Sequence, residues 1–228
     1  ATPSITTLYQ AEHRKTWTCV ELPERVNGRP MPSIEVVDMS HEFGGGNRSM
    51  FSRKLKDAIR AELANKHKVV LFLNQRGFAK FLLCRECGFV PQCPNCSSSL
   101  TYHEHGHKLV CHHCGYEQAA PARCPKCGSP YLRKFGAGTQ RVEAELTSLI
   151  QSFALDDPVP IIRMDYDTTR AKGAHQRLLD QFGAADAAVL LGTQMIAKGL
   201  DFDDVTLVGV INADTELHLP DFNAEERT

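Results

Sequence analysis

The chain has 228 residues, 42% hydrophobic and 23% charged, and its 26 Lys/Arg nearly balance 27 Asp/Glu for a net charge of −1. This is an ordinary globular composition with room for one or two cores, and it excludes a whole-chain basic footprint for nucleic acid. No apolar run approaches the ~20 residues of a membrane span, no secretory signal opens the chain, and paired cysteines point to zinc in a reducing, cytoplasmic setting.

Both ends look cut: the chain opens Ala1-Thr2-Pro3-Ser4 without a methionine and closes on Glu225-Glu226-Arg227-Thr228. A short helix is expected near residues 5–10. Extended segments follow at 17–22 and 34–39, the second preceded by the breakers Gly28, Pro30 and Pro32. Cys19, the ninth cysteine, has no partner in a motif and reads as a small buried core residue. Gly44-Gly45-Gly46 is not followed by G-K-[ST], so it is no phosphate-binding loop; it reads as a flexible connection and a domain boundary. Ser49 is then expected to cap a helix reaching about Lys66, with Leu55, Ile59 and Leu63 on one face. Residues 69–73 form a continuous apolar run, the pattern of a parallel strand buried on both faces. Asn74, Gln75, Arg76 and Gly77 follow at its carboxyl end, where open α/β sheets collect ligands.

Cys84, Cys87, Cys93, Cys96, Cys111, Cys114, Cys124 and Cys127 make four C-x-x-C pairs. Each pair lets a tight turn present two thiolates to one metal, so eight cysteines imply two closed four-thiolate zinc sites. Gly88, Gly115 and Gly128 after three of the pairs suit turns that need φ > 0. Chain reach favours a nested arrangement, because residues 88–92 are a cramped link between two knuckles facing one ion. One zinc then takes Cys84, Cys87, Cys124 and Cys127, the other Cys93, Cys96, Cys111 and Cys114. A cross-braced pairing of first with third and second with fourth is the alternative.

His103-Glu104-His105-Gly106-His107 matches the metalloprotease pattern H-E-x-x-H, which works only on a helix. Here the alternation around it reads as a hairpin with Gly106 in the turn. His112 and His113 read as surface residues, since the cysteines fill both sites.

Beyond the cysteines, Gly136-Ala137-Gly138 lacks the full dinucleotide fingerprint and reads as a strand-to-helix turn. An amphipathic helix follows with Val142, Leu146, Leu149 and Ile150 inward. Then come a strand at 159–164, a helix at 176–182, and strands at 187–191 and 205–211. Asp165 and Asp167 after the first of these read as turn or cap residues, not as an acid/base pair. Alternating strands and helices mean an α/β fold with a parallel sheet covered on both faces. The cysteine segment is an insertion between the first strand of that sheet and its next helix.

Two further segments carry a family resemblance. Ala1 to Ser4 resemble the tail of the S-A-T-P-S motif of superfamily 2 helicases. Gly192-Thr193-Gln194-Met195-Ile196-Ala197-Lys198-Gly199-Leu200-Asp201-Phe202 is similar to their motif V, which touches both DNA backbone and nucleotide. A second helicase lobe interrupted by eight cysteines resembles the bacterial primosomal replication-restart helicases. Leu71 to Asn74, Met164 to Thr169, Asn212 to Asp214 and Leu219 to Phe222 are similar to that family as well.

The resemblance implies a RecA-like lobe 2 over 46–83 and 136–228, C-terminally incomplete, with a two-zinc insertion over 84–135. Residues 1–45 would be the tail of lobe 1 and a linker. It implies part of an ATP-driven 3′-to-5′ DNA helicase that binds stalled forks and D-loops and promotes primosome assembly. Its partners would be forked and single-stranded DNA, primosome proteins and the machinery that loads the replicative helicase. Thr193, Gln194, Lys198, Gly199 and Asp201 become nucleotide or DNA contacts, joined by Asn74, Arg76 and Gly77. A Thr hydroxyl and backbone N–H groups suit such contacts, since they position phosphates without reading bases. The cofactors would be two Zn²⁺ here, with ATP and Mg²⁺ in the full-length protein. The family's P-loop and D-E-x-H box are absent from these residues, so the chain alone is expected to be inactive. Gln75 and Asn223 stand where the family usually has Arg, and Asp203 where it has Pro. The bland alternative is a non-catalytic zinc-ribbon scaffold that binds DNA or replication proteins.

Overall fold

The computed structural model describes residues 3–24, 28, 30–74, 81–135, 138–196, 200, 202–218 and 226. It opens on α1 (Ile5–Glu12), capped by Ser4, whose Oγ accepts from the Thr7 N–H at 3.1 Å. No residue of α1 is buried. The described residues from 13 to 38 form no strand and leave Trp17, Val20, Leu22, Ile34 and Val36 exposed. The expected extended segments are therefore unpaired, and Cys19 is exposed rather than buried. Its segment packs into none of the hydrophobic clusters, so nothing covers the thiol.

Helix α2 (Met39–Gly44) is short and N-capped by Asp38. Gly44-Gly45-Gly46 closes this helix in a hydrogen-bonded turn instead of hanging free. The Gly45 N–H donates to His41 O at 2.9 Å, and Asn47 donates to Glu42 Oε2 at 2.7 Å and Phe51 O at 2.8 Å. Helix α3 (Arg53–Ala64) begins at Ser52, not Ser49: Ser52 Oγ accepts from the Leu55 N–H at 3.1 Å. Ser49 has another task, donating its hydroxyl to Glu145 across the fold. Ile59 and Leu63 are buried as their four-residue spacing requires, and Leu55 packs beside them.

Strand β1 (Lys68–Leu73) then enters the middle of a sheet. The insertion departs beyond it and contains β2 (Phe81–Cys84), β3 (Thr101–His103), β4 (Lys108–Val110), β5 (Glu117–Ala119) and β6 (Leu132–Phe135). Strands β2 and β6 pair antiparallel, Phe81 with Phe135 through Cys84 with Leu132, and so form the base of the insertion. The β3–β4 hairpin is the expected one, and β5 extends it to three strands. Strands β2, β5 and β6 were not foreseen: each has three or four residues, too few for a pattern that stands out without its partner. The Phe81 ring lies 5.2 Å from that of His218, tying this base to the 3₁₀ turn Thr215–His218.

The chain returns through α4 (Thr139–Ser152), β7 (Ile161–Met164), α5 (Ala174–Ala184), β8 (Val189–Gly192) and β9 (Val205–Ile211). Strands β1, β7, β8 and β9 form one parallel sheet in the order β7-β8-β1-β9. Pleating sends Val69, Leu71, Val189 and Leu191 to one face, where Ile59, Leu63, Val142 and Leu146 cover them. Val70, Ile162, Met164 and Leu190 go to the other, against Phe182 and Ile196. Helices α3 and α4 thus cover one face and α5 the other, as right-handed crossovers through α4 and α5 in opposite directions require. Coverage fails only along the edge strand, where Val208 and Val210 are 61% and 50% exposed. Gly192 marks the tightest approach: a Cβ there would stand 2.7 Å from Met164 O. Among the described residues, no helix is long and apolar enough to cross a membrane.

Candidate functional site

The four C-x-x-C turns share one backbone plan. In each, the residue after the second cysteine sends its N–H back to the first cysteine's carbonyl: Gly88 to Cys84, Ser97 to Cys93, Gly115 to Cys111 and Gly128 to Cys124, all at 2.8–2.9 Å. Each first cysteine's own N–H donates forward to Phe89, Ser98, Tyr116 or Ser129, again at 2.8–2.9 Å. The pivot residue needs a left-handed backbone, and φ is +69°, +55°, +75° and +73° at Gly88, Ser97, Gly115 and Gly128. Three glycines adopt this freely, whereas Ser97 bears the steric cost of its Cβ. Ser97→Gly is therefore expected to stabilise the metal-loaded fold by ~0.5–1 kcal/mol, checked as a higher denaturation midpoint at fixed metal.

The turns bring the eight thiols into two groups, Cys84/Cys87/Cys124/Cys127 and Cys93/Cys96/Cys111/Cys114. Within each, all ligand atoms lie within 4.8 Å of one another. Cys84 and Cys127 sulfurs are 3.6 Å apart, Cys87 and Cys124 3.7 Å, and Cys93 and Cys114 3.5 Å. A tetrahedron of thiolates about 2.3 Å from zinc has edges of about 3.8 Å, so both groups are compatible with one zinc ion each. The sets are nested, with the second inside the loop closed by the first.

Backbone dipoles prepare these thiols unevenly. The Cys114 N–H leads in pulling the Cys111 thiol down to about 6, and Ser98 Oγ, 3.6 Å from its sulfur, adds to this. Burial pushes Cys124 up, but the N–H groups of Cys127 and Lys126 outweigh it and hold it at about 7. Cys96 goes the other way, to about 12, chiefly through its contact with Cys114. In the inner group Cys111 and Cys114 are drawn down while Cys93 and Cys96 are pushed up, an imbalance that a dication would remove as it displaces protons. The local apolar core is small: Leu82, Leu100, Leu109 and Leu132 are buried together with Cys84, Cys93, Cys111 and Cys124. A core this small is one that metal ligation by the two thiol groups would help to fold.

The H-E-x-x-H residues form no protease site. His103 ends β3, while Gly106 and His107 turn the hairpin at φ +83° and +46°. His107 Nδ1 meets Tyr102 Oη at 2.8 Å. His103 Nε2 lies instead 3.3 Å from His112 Nε2, a pairing across the fold that the sequence did not suggest.

At the sheet, parallel strands align their carboxyl ends along one edge. Asn74 follows β1 there and is buried; its N–H donates to Ile211 O at 3.2 Å and its Nδ2 to Ala213 O at 2.8 Å. The side-chain amide thus fastens the exit of β9. Thr193 follows β8 and caps a 3₁₀ turn (Gln194–Ile196), its carbonyl accepting from the Ile196 N–H at 3.0 Å. Asp165 follows β7 as a buried hub, accepting from Thr139 Oγ1 at 2.5 Å and the Thr168 N–H at 2.9 Å. Arg163 Nε stands 3.0 Å from the same carboxylate, without hydrogen-bond alignment. This is the turn role expected for Asp165, and Asp167 is exposed and paired with Arg170 at 3.3 Å. Thr139 and Arg163 carried no motif and were not foreseen. Arg76, Gly77, Lys198, Gly199 and Asp201 lie outside the described residues, as do Gln75, Asn223 and the side chain of Gln194.

The family profile described as "PriA DNA helicase Cys-rich region (CRR) domain" matches residues 93–118, which hold the inner thiol group. Over its whole length the chain is 51% identical to the replication restart protein PriA of Bacillus subtilis, 46% to that of a Synechocystis species and 37% to that of Haemophilus influenzae. The chain is similar throughout its length to one segment of these PriA proteins. It spans 28%, 27% and 30% of those three PriA proteins, so it corresponds to just over a quarter of each. The outer thiol group falls outside the matched profile but inside the segment shared with the PriA relatives.

Proposed function

We propose that this chain is the second motor lobe of an ATP-dependent 3′-to-5′ DNA helicase of replication restart, working in the cytoplasm on forked and single-stranded DNA. Residues 46–83 and 136–228 form the RecA-like lobe and 84–135 the two-zinc insertion. Residues 1–45 are the end of the first lobe and its linker. Similarity to replication restart proteins PriA over the whole chain, and to the PriA Cys-rich region over residues 93–118, supports a role in replication restart. The observation that carries the motor reading is the sheet order β7-β8-β1-β9. Strands β1 and β8 are neighbours whose onward connections leave in opposite directions, and ligands collect at the carboxyl ends of such a pair. The segments beginning at Asn74 and Thr193 leave from those two ends, which supports a ligand-binding role for the motif residues that follow.

In this reading Thr193, Gln194, Lys198, Gly199 and Asp201 make the nucleotide or DNA contacts together with Asn74, Arg76 and Gly77. Their hydroxyl, amide and backbone N–H groups hold phosphates without reading sequence. Each zinc is closed by four thiolates and offers no open position, so its work is structural and the insertion around it is a docking surface for primosome proteins and the helicase-loading machinery. ATP and Mg²⁺ belong to the complete protein.

The test is ATP hydrolysis by the complete protein, with forked DNA added or withheld. Hydrolysis stimulated by forks is expected, and none from the isolated 228-residue chain. A folded, zinc-loaded complete protein that never turns over ATP would replace the motor with a zinc-ribbon scaffold.

A further inference from the structure

Two histidines that the thiol groups do not use meet on the insertion. His103 ends β3 and is half-buried, and His112, between Cys111 and Cys114, is exposed. The hairpin register sets His103 opposite Lys108, which precedes His112 by a whole strand, so strand pairing alone does not bring the two histidines together. The turn after β4 does. The Gly115 N–H closes that turn on Cys111 O at 2.9 Å, and His112, inside it, stands with its Nε2 3.3 Å from His103 Nε2. The ring centres are 5.3 Å apart and the planes meet at 61°.

Both distances suit a shared metal ion better than a hydrogen bond. Two imidazole nitrogens about 2.05 Å from one tetrahedral zinc ion would be about 3.3 Å apart, with ring centres about 5.2 Å apart. A hydrogen bond from a ring N–H would be closer to about 2.9–3.0 Å, and a straight one stretched to the observed 3.3 Å would hold the ring centres about 5.6 Å apart. The rings are bent away from that line, as two ligands of one ion are.

The surroundings also suit a cation. Lys108, opposite His103, is paired with Glu117 at 2.8 Å, and Lys134 with Glu104, so the nearby ammonium charges are offset. Four thiolates around a dication leave the inner centre with net negative charge, and His112 lies in the turn that holds two of those thiols, where this charge attracts another cation. Among the described residues, the histidine pair belongs to no group of three or more such ligand atoms, so an ion held there keeps positions for water or another oxygen ligand.

We propose that His103 and His112 form a further metal site on the insertion, taking a divalent transition cation of the zinc, nickel or copper kind, which imidazole ligands suit. It differs in chemistry from the thiol centres. Neutral imidazoles leave the ion its full positive charge, and its open positions face solvent beside the exposed His112. The site does not depend on the motor reading.

The experiment uses the complete protein, loaded with zinc at both thiol groups and dialysed against free Zn²⁺ over a range from below micromolar to millimolar. Metal analysis counts the zinc bound per chain. The wild type is expected to take up zinc beyond the thiol-bound ions, and His103→Gln to weaken that uptake at least about tenfold, since loss of even an outer partner of a metal ligand costs about 10–100-fold. His112→Gln should do the same. It lies inside the inner thiol turn, so thiol-bound zinc is measured in parallel, and His103→Gln, outside that turn, decides the matter if His112→Gln misfolds. His105→Gln, exposed and outside the pair, should leave the uptake unchanged. Wild-type protein that binds only the thiol-held zinc overturns the proposal, and so does extra uptake that His103→Gln leaves intact. Equal loss in His105→Gln also overturns it, because the ion would then be attracted diffusely by a histidine-rich hairpin.

Discussion

Replacing Cys111 with serine is expected to empty the inner metal centre and unfold the hairpin sheet around it, while the parallel sheet stays folded. Cys111 is buried and its thiol, pulled down to about 6, is among the most readily ionised in its group. A serine hydroxyl keeps its proton near neutrality and offers a hard oxygen where a soft thiolate is needed. Structural zinc sites contribute on the order of 10–16 kcal/mol to folding, far more than four leucines and a few short strands can replace. The parallel sheet has its own two clusters on Val69, Leu71, Val189 and Leu191 and on Val70, Met164 and Leu190, none of which includes a cysteine. Metal analysis should therefore read one zinc per chain instead of two. Hydrogen exchange should show lost protection in β3, β4 and β5 and retained protection in β1 and β8. Two retained zincs would remove Cys111 from the ligand set, and loss of protection in β1 would show that the insertion and the sheet fold as one unit.

Asp165→Ala is expected to cost about 3 kcal/mol, because it removes one partner of a buried charged pair and strips a turn of its acceptor. Thr139 and the Thr168 N–H lose their bonds, and Arg163 Nε, 3.0 Å from the carboxylate and buried without another partner, loses its counter-charge. Arg163 keeps only its contact with Glu143 at 2.5 Å. The pH dependence has a definite sign. Burial raises the Asp165 pKa, but the Thr139 hydroxyl, the Thr168 N–H and the charge of Arg163 together lower it below its ordinary 3.8. The unfolded state therefore takes up the proton first as pH falls. The contribution is complete above the unfolded pKa and is lost as pH drops through the lower folded one. Urea midpoints of the wild type should fall in that acid range with a step that the alanine variant lacks. Equal acid sensitivity in both would show that the carboxylate is not held as its contacts suggest.

The register of the cysteines made the two thiol groups legible from the sequence. Four C-x-x-C spacings with Gly88, Gly115 and Gly128 behind them describe turns whose geometry is local, and chain reach favoured the nested sets in which the thiols are found. The strands of the parallel sheet were legible for a related reason: runs such as 69–73 are apolar at every position, which only burial on both faces explains. Strands β2, β5 and β6 were not. Strand β5, at Glu117–Ala119, is defined by its partner β4 and has no pattern of its own.

Where the sequence misled, the deciding interaction was distant in the chain. Ser49 looks like a helix cap, yet it bonds Glu145, and Ser52 takes the cap. Cys19 looks like a small core residue, yet no cluster reaches its segment. By itself the sequence determined the two thiol groups, the alternating strands and helices, and the turn role of Asp165, because each follows from neighbours within a few residues or from periodic burial. Only the tertiary structure decided the strand order β7-β8-β1-β9 and the Asp165–Thr139–Arg163 hub. Those depend on which distant segments pack together, a choice made by the summed burial of whole faces and written in no single stretch of residues.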